Sequence, residues 1–409
     1  MNNIGIIRES RTDEKRTPLV PSHVKYLLNK FPGIVITVQP SKNRCFNDIE
    51  FKENGAEINE NLDNCDLILG VKEIEPNLLI KGKTYMFFSH TSKIQSDNSA
   101  AAQGTPGMDK KELLNEIQKK KITLIDYENI RNDVDRRYLG FGRFAGIVGC
   151  YNSLNLYLET LGQAVMPRAY ELNSYNKLKE NISKKDFKKA RILVTGDGRV
   201  ASGSLDFLEL SNIKKISPIE YLQNNNNSTS VFCNLTTSDY VISSKREKFN
   251  LQDFINFPEN YVSVLHKYLI NTDMLISSHY WDPKSPKLFE RKDIDQYSNL
   301  KVIGDITCDI NGSIPSTIRS TTIKNPYFYL DPVKFIEVNK SKNSIAIMAV
   351  DNLPSELPND SSNEFSNGVI KEVLPYLLNK DDGRIKKATI TYNGEFLPRY
   401  QYIRDYINH

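Results

Sequence analysis

The sequence has little cysteine and spends it without pattern. Cys45, Cys65, Cys150, Cys233 and Cys308 are five in number, widely spaced, and contain no Cys-x-x-Cys. That distribution argues against a disulfide framework and against a structural zinc site, and predicts buried thiols in a reducing compartment. No metal is expected. Long apolar runs are missing too: none approaches the ~20 residues that span a bilayer. Met1-Asn2-Asn3-Ile4-Gly5 lacks the basic start and apolar stretch of a secretory leader. The expected location is cytoplasmic, with no membrane partner. Charge of one sign is scarce as well, since 54 Lys and Arg against 50 Asp and Glu leave only +4 over 409 residues. A nucleic-acid binder carries a concentrated basic face, so no nucleic-acid partner is expected. A cleft for an acidic small molecule is compatible with this balance. Internal repeats are absent, and the run Asn224–Asn227 is compositional. Nothing in the pattern specifies an oligomeric state.

What is present is a core. Apolar residues make up 39% and aromatics 10%, and the length predicts two domains. Apolar strands are expected at Ile4–Ile7, Gly33–Gln39, Asp66–Val71, Tyr85–Ser89 and Ile122–Ile125. Helices are expected from Pro21 to Asn29, with Ser22 as N-cap, and at Lys110–Lys121. Residues 96–109 read as a mobile surface loop. Gly140–Leu161 reads as one long buried helix connecting domains. A second run follows, with strands at Ile192–Thr195, Lys214–Ser217, Met274–Ser278, Val302–Asp305 and Ser344–Val350. Helices are expected at Ala201–Leu210 and Glu364–Leu378, and residues 223–262 read as polar and irregular. Strand and helix alternate throughout, the signature of parallel βαβ units.

One turn carries chemistry. In Arg191-Ile-Leu-Val-Thr-Gly196-Asp-Gly198-Arg-Val-Ala201 a strand, a tight turn and a helix follow each other. Gly196 permits the turn, Gly198 lets a pyrophosphate approach the backbone, and Ala201 lets helix and strand pack closely. The helix start adds N–H groups and a positive dipole end. Gly196, Gly198, Arg199, Val200 and Ala201 are therefore candidate cofactor contacts, with Asp197 turned to solvent. An acidic ribose ligand is due about 20 residues on. The next strand ends at Ile216-Ser217-Pro218, with Glu220 later and Lys214 and Lys215 nearby. Ser217 is the candidate there, and NAD and NADP both stay open. The expected fold is α/β, two Rossmann-like domains with parallel sheets. Residues 1–140 with 326–409 would form a substrate or catalytic domain and 141–325 a dinucleotide-binding domain, with the substrate cleft between them.

Basic and proton-carrying residues stand at strand ends in the first part. Arg16, between a loop and the Pro18/Pro21 pair, is either a solvated side chain or a bidentate clamp for a carboxylate. Lys72 follows the strand Asp66–Val71, and His90 follows Tyr85–Ser89. Delivered to one rim, a partly desolvated lysine and a histidine make an acid–base pair. Asp135-Arg136-Arg137 is either a solvated hairpin tip or a set of anion donors. His23, His266 and His409 have no partner pattern.

Together these segments resemble the saccharopine dehydrogenase (L-lysine-forming) family, especially its lysine–ketoglutarate reductase branch, within the alanine dehydrogenase/transhydrogenase superfamily. The resemblance rests on Arg8-Glu9…Lys15-Arg16-Thr17-Pro18-Leu19-Val20-Pro21, Val71-Lys72-Glu73, Phe87-Phe88-Ser89-His90-Thr91-Ser92-Lys93-Ile94-Gln95 and Leu124-Ile125-Asp126-Tyr127-Glu128. It continues in Arg136–Gly146, the glycine turn, Ser278-His279-Tyr280-Trp281, Gly304–Ile314 and Val350-Asp351-Asn352-Leu353-Pro354-Ser355-Glu356-Leu357-Pro358. These run in family order over nearly the whole chain. The resemblance implies Lys72 and His90 as catalytic residues. It implies Arg16, Lys93 and Arg137 as binders of substrate carboxylates, with Phe141 lining the site and Tyr280 and Trp281 forming a wall. It places Asp305, Ile306, Thr307 and Cys308 beside the nicotinamide and its ribose. The implied reaction interconverts saccharopine with lysine and 2-oxoglutarate using NAD or NADP, without a metal. A related dehydrogenase acting on alanine or an N-carboxyalkyl amino acid is the alternative, as is a non-catalytic dinucleotide-binding regulatory protein.

Overall fold

The computed structural model describes residues 2–92, 109–223, 228–245 and 247–408. The chain divides into two compact units, Met1–Phe141 with Pro358–His409, and Gly142–Leu357. The loop expected at 96–109 lies, up to residue 108, outside the described residues.

The first unit is built on β1 (Asn3–Ile6), β2 (Val35–Val38), β3 (Glu57–Ile58), β4 (Leu67–Leu69), β5 (Thr84–Phe87) and β6 (Thr123–Asp126). These strands are parallel, in the order β6-β5-β4-β1-β2-β3. Ile4, Ile6, Leu67, Ile68, Leu69, Tyr85, Met86 and Phe87 are all buried. Consecutive residues are hidden because a parallel sheet is covered on both faces. Helix Pro21–Lys30 is capped at Val20, not Ser22, with Pro21 in its first turn. A proline there gives up an N–H that the helix would not have used.

The second unit begins with a helix, Gly142–Thr160, buried along nearly its whole length. Its strands are β7 (Arg191–Thr195), β8 (Lys214–Lys215), β9 (Val231–Leu235), β10 (Val241–Ser243), β11 (Tyr261–Ser263), β12 (Met274–Ser277), β13 (Val302–Asp305), β14 (Tyr327–Asp331), β15 (Ile336–Val338) and β16 (Ile345–Met348). The main sheet runs β8-β9-β7-β12-β13-β16-β14-β15, and β10 pairs with β11 in a separate two-stranded sheet. From β8 to β16 the pairing is parallel; β14 and β15 are antiparallel additions.

Two expectations change here. The stretch 223–262 is not irregular throughout: it holds β9, whose Val231, Phe232, Cys233 and Leu235 are buried beside β7. The boundary expected at 325/326 falls instead at 357/358. β16 pairs with β13 through Val302↔Ala346 and Ile303↔Ile347, and β14 pairs with β16. A cut before residue 326 would split that sheet.

The chain then returns to the first unit through helix Pro358–Glu372. It ends that sheet with β17 (Thr389–Tyr392) and β18 (Glu395–Phe396), β17 lying antiparallel on β6. Among the described residues no helix is long and apolar enough to cross a membrane.

Candidate active site

The loops after β1, β4, β5 and β6 share the carboxyl-end rim of the first sheet, where parallel sheets carry their ligand sites. They bring Arg16, Lys72, His90 and the segment Asp126–Glu128 to that rim. His90 takes a left-handed backbone, φ +51. Its Nδ1 lies 2.6 Å from Oε1 of Glu73, a buried residue next to Lys72. A carboxylate on one ring nitrogen orients the imidazole and leaves the other to carry the proton. The His90 ring stacks on Phe88, centroids 6.3 Å apart. Phe88 packs on Tyr127, Phe141 and Phe365, and Phe141 stacks on Phe365 at 4.5 Å. The Arg16 guanidinium sits 4.0 Å over the Phe141 ring. One aromatic cluster thus runs from Arg16 to His90. Lys93 lies outside the described residues.

Neither candidate arginine is simply solvated. Arg16 is only 3% exposed and is bound to Glu14 through Nε, at 2.7 Å, and through its NH2 group. Burial works against the Glu14 charge, but Arg16, and beyond it Lys72, outweigh burial and hold this carboxyl below its ordinary range. Arg137 pairs with the buried Glu128 at 3.1 Å. Asp135-Arg136-Arg137 forms a hairpin turn, with Asp135 at φ +57 and a bridge from Arg131 to Arg137. Asp126 accepts from the Ser89 amide at 3.1 Å, from the Ser89 hydroxyl, and from the Glu128 amide at 2.8 Å. Burial first, and then the Glu128 charge, push Asp126 up to about 6.

The rim is therefore a set of cations and a histidine held by carboxylates. Reading the sequence for basic residues misses Glu14, Glu73, Asp126 and Glu128. Their signal is local, because each stands within two residues of a candidate cation or of the end of an apolar strand.

In the second unit, β7 ends in the glycine turn. Gly196 has φ +108, and a Cβ there would come within 2.8 Å of the His279 Cα. Gly198 caps the ten-residue helix Arg199–Leu208, and a Cβ on it would meet nothing within 4 Å. Gly198 thus leaves an open face beside the helix amides, which fits a pyrophosphate. Asp197 is exposed and Ala201 is buried. The tightest packing falls at other glycines, however. A Cβ on Gly203 would lie 1.9 Å from the Arg143 carbonyl oxygen, and one on Gly146 would lie 1.9 Å from that of Val200.

Ser217 is not brought to the turn. The strand beside β7 is β9, so β8 and Ser217 lie one strand further out. Ser217 instead bonds Glu220 through its amide, at 2.8 Å, and its hydroxyl, at 2.7 Å. The side chain that does reach the turn is Asn234 of β9, whose Nδ2 donates to the Gly196 carbonyl at 2.9 Å. At the end of β13, Asp305 is buried and accepts from the Thr307 and Thr317 hydroxyls, each at 2.6 Å, and Cys308 has φ +50. Ile306 is buried. Tyr280 is 82% exposed, while the Trp281 indole donates to the carbonyls of Ser285 and Pro286 at 3.3 and 3.4 Å. Among the described residues, no group of three or more His, Cys, Asp or Glu side chains is placed to hold a metal ion.

Comparison with known proteins supplies the class. The Alanine dehydrogenase/PNT N-terminal domain family matches residues 5–148, and the Alanine dehydrogenase/PNT C-terminal domain family matches residues 233–398. The glycine turn falls between the two stretches. A solved L-alanine dehydrogenase shares the fold with TM-score 0.63 at 13% identity, covering 99% of both chains. A transhydrogenase from Sinorhizobium meliloti does so with TM-score 0.59 at 13% identity, covering 96% of this chain and 100% of that one. The chain belongs to the alanine dehydrogenase/PNT family, whose N- and C-terminal domain models together match more than half of it. It is 29% identical to the alpha-aminoadipic semialdehyde synthase of Arabidopsis thaliana over 98% of its own length, but spans only 41% of that protein. It is 24% identical to the saccharopine dehydrogenase [NAD(+), L-lysine-forming] of Yarrowia lipolytica, covering 90% of each chain.

Proposed function

We propose that this chain interconverts saccharopine, with water and NAD(P)+, and L-lysine, 2-oxoglutarate and NAD(P)H, with Lys72 and His90 as its acid–base pair. The observation that carries the reading is the Glu73–His90 contact of 2.6 Å, set one residue from Lys72. The names of the relatives point to the same chemistry. Saccharopine carries three carboxylates, which suits a rim bearing Arg16 and Arg137, with Lys93 as a third binder and Phe141 as apolar lining. Tyr280 and Trp281 are proposed as a wall for the substrate.

Gly196, Gly198, Arg199, Val200 and Ala201 would hold the dinucleotide phosphates, and Asp305, Ile306, Thr307 and Cys308 the nicotinamide end. When bound, that cofactor supplies the hydride acceptor or donor. The chain's own residues handle protons. A base at His90 takes the proton of the secondary amine, and Lys72 serves the water that must be activated to cleave the carbon–nitrogen bond. Two groups of different basicity suit two successive proton transfers. Cofactor choice is proposed to lie at the end of β9. There Thr236 is engaged by Asp239, which accepts from its amide and its hydroxyl at 2.7 Å each.

The test follows the absorbance of reduced cofactor with lysine plus 2-oxoglutarate, using NADH and NADPH in parallel. Oxidation that requires both substrates is the expected result. Oxidation only with ammonia plus pyruvate would move the chain to an alanine dehydrogenase activity. Cofactor binding with no turnover would overturn the enzymatic reading. His90→Ala is expected to slow turnover ~10²–10⁴-fold, the usual range for a lost acid–base group, with cofactor affinity unchanged.

A further inference from the structure

The backbone that carries Lys72 and Glu73 is held by a side chain from the loop after β1. β4 ends at Leu69, and its ladder with β1 closes with the Ile7 amide donating to the Leu69 carbonyl at 3.0 Å. Past that point β1 no longer supplies an acceptor. On the other side, β5 takes the Gly70 amide through the Met86 carbonyl, and the Phe88 amide donates to the Val71 carbonyl. The amides of Val71 and Lys72 are met by Glu9 instead. Its Oε1 accepts from Val71 at 2.6 Å and its Oε2 from Lys72 at 2.9 Å. Both carboxylate oxygens are spent on two successive backbone groups, continuing the pairing where the strand stops. From this short segment Lys72 projects directly, and Glu73 projects one residue later to bind His90.

We propose that Glu9 is a positioning residue: its carboxylate fixes the segment from which Lys72 and Glu73 project, and its protonation loosens that segment and slows turnover. The turnover part rests on the acid–base reading of Lys72 and His90 given above. A protonated carboxyl loses its charge and turns one of its oxygens into a hydroxyl, a weak acceptor for the second amide. The clamp would then fall from two charge-assisted bonds to one neutral bond and one weak contact. The groups facing Glu9 are Glu14 and Arg16 of its own loop, the amides of Val71 and Lys72, and Arg44 and Tyr127, whose own ionisation Glu9 influences. Burial, and then the Glu14 charge, push Glu9 up to about 7 against the two amide bonds and Arg16. The switch between the two states therefore falls near neutral pH.

Hydrogen exchange read at Val71 and Lys72 in the full chain, without substrate, tests the clamp. After correction for intrinsic exchange, the protection of these amides in the wild type is expected to fall about tenfold or more from pH 8 to pH 6, as a charge-assisted bond is lost. In Glu9→Gln the amide group sets an NH2 against one of the two N–H groups. Protection is then expected to be low at both pH values. The same variant should lose the part of the acid limb that Glu9 contributes to the kcat profile, retain that of the His90 base, and keep its cofactor Kd. Wild-type protection that does not change with pH, or a Gln variant with wild-type protection, would overturn the proposal. If the variant fails to fold, the wild-type pH series decides by itself. Exchange is read without turnover, so a failure of the saccharopine reaction and a failure of the clamp give separate results.

Discussion

Asn234 illustrates how a single amide can shape a phosphate turn. Its Nδ2 donates to the Gly196 carbonyl at 2.9 Å and reaches the Val194 carbonyl at 3.4 Å, so it ties β9 to the end of β7 where the chain reverses. The turn also leans on Gly196 itself, which has no room for a side chain against His279. Asn234→Ala should leave the fold intact and weaken cofactor binding about 3–10-fold, the value of one net hydrogen bond. Asn234→Asp should weaken it further, because a carboxylate would face two carbonyl oxygens. Titrating the fluorescence of reduced cofactor measures both, and wild-type affinity in Asn234→Asp would remove Asn234 from the turn. Sequence spacing does not point to this residue, for a simple reason. Spacing directs the ribose position to the end of the next strand in the chain, at Ser217, but the next strand in space is β9. Strand order depends on tertiary packing and is not written in local spacing. The rim positions of Arg16, Lys72 and His90 were legible because Lys72 and His90 each follow a short apolar strand and Arg16 stands between a loop and the Pro18/Pro21 pair. The carboxylates that hold two of them were not, since an acidic residue beside a basic one usually marks a solvated surface.

At the scale of elements, the helices Gly142–Thr160 and Arg199–Leu208 cross almost at backbone contact. Ser204 Oγ donates to the Gly146 carbonyl at 3.1 Å, and the approach is permitted by Gly146 and Gly203. The phosphate turn opens the second of these helices, so this crossing sets where its N-terminus points. Gly203→Ala would place a methyl group 1.9 Å from a main-chain oxygen that cannot rotate away. The helices would have to separate, at a cost of at least about 2 kcal/mol. A lowered unfolding midpoint together with weaker cofactor binding is the expected result, and a midpoint within error of the wild type would show that the crossing adjusts freely. The long helix was legible from its glycine spacing and apolar composition, and most parallel strands from their buried runs. β9 was not, because five residues between Ser-Thr-Ser and Thr-Thr-Ser give too short a run to stand out. The place of residues 326–357 was hidden for the same reason as that of Ser217: β16 joins β13 only in three dimensions.

Across the whole molecule, near-zero net charge hides a strained distribution of protons. In the first unit burial raises Glu9 and Asp126; in the second it raises Asp305 and Glu356. Each of these groups binds protons more tightly in the folded chain than in the unfolded one, so each lowers stability as pH rises from the unfolded pKa to the folded one. Two groups act in the opposite sense. Burial lowers His279 to about 4, so stability is lost as pH falls and the unfolded histidine takes up a proton. Glu14, held below its ordinary range by Arg16, loses its contribution only in stronger acid. The overall curve mixes these trends, but one group can be isolated. Glu356 has no exposed surface; it accepts from Asn152 Nδ2 at 2.8 Å and lies 3.5 Å from Arg168, and burial pushes it from 4.5 to about 7. The wild type should therefore lose about 2–3 kcal/mol at this site between pH 5 and pH 8, since each tenfold change in proton affinity is worth about 1.4 kcal/mol. Glu356→Gln keeps an acceptor for Asn152 and cannot ionise. Whatever its stability at pH 5, it should gain that amount on the wild type by pH 8. Global hydrogen exchange of amides in helix Gly142–Thr160, compared between variant and wild type at each pH, reads the stability of the unit that holds Glu356. A variant that follows the wild type in parallel from pH 5 to pH 8 would mean that Glu356 stays ionised over the whole range, held by Arg168 despite its burial.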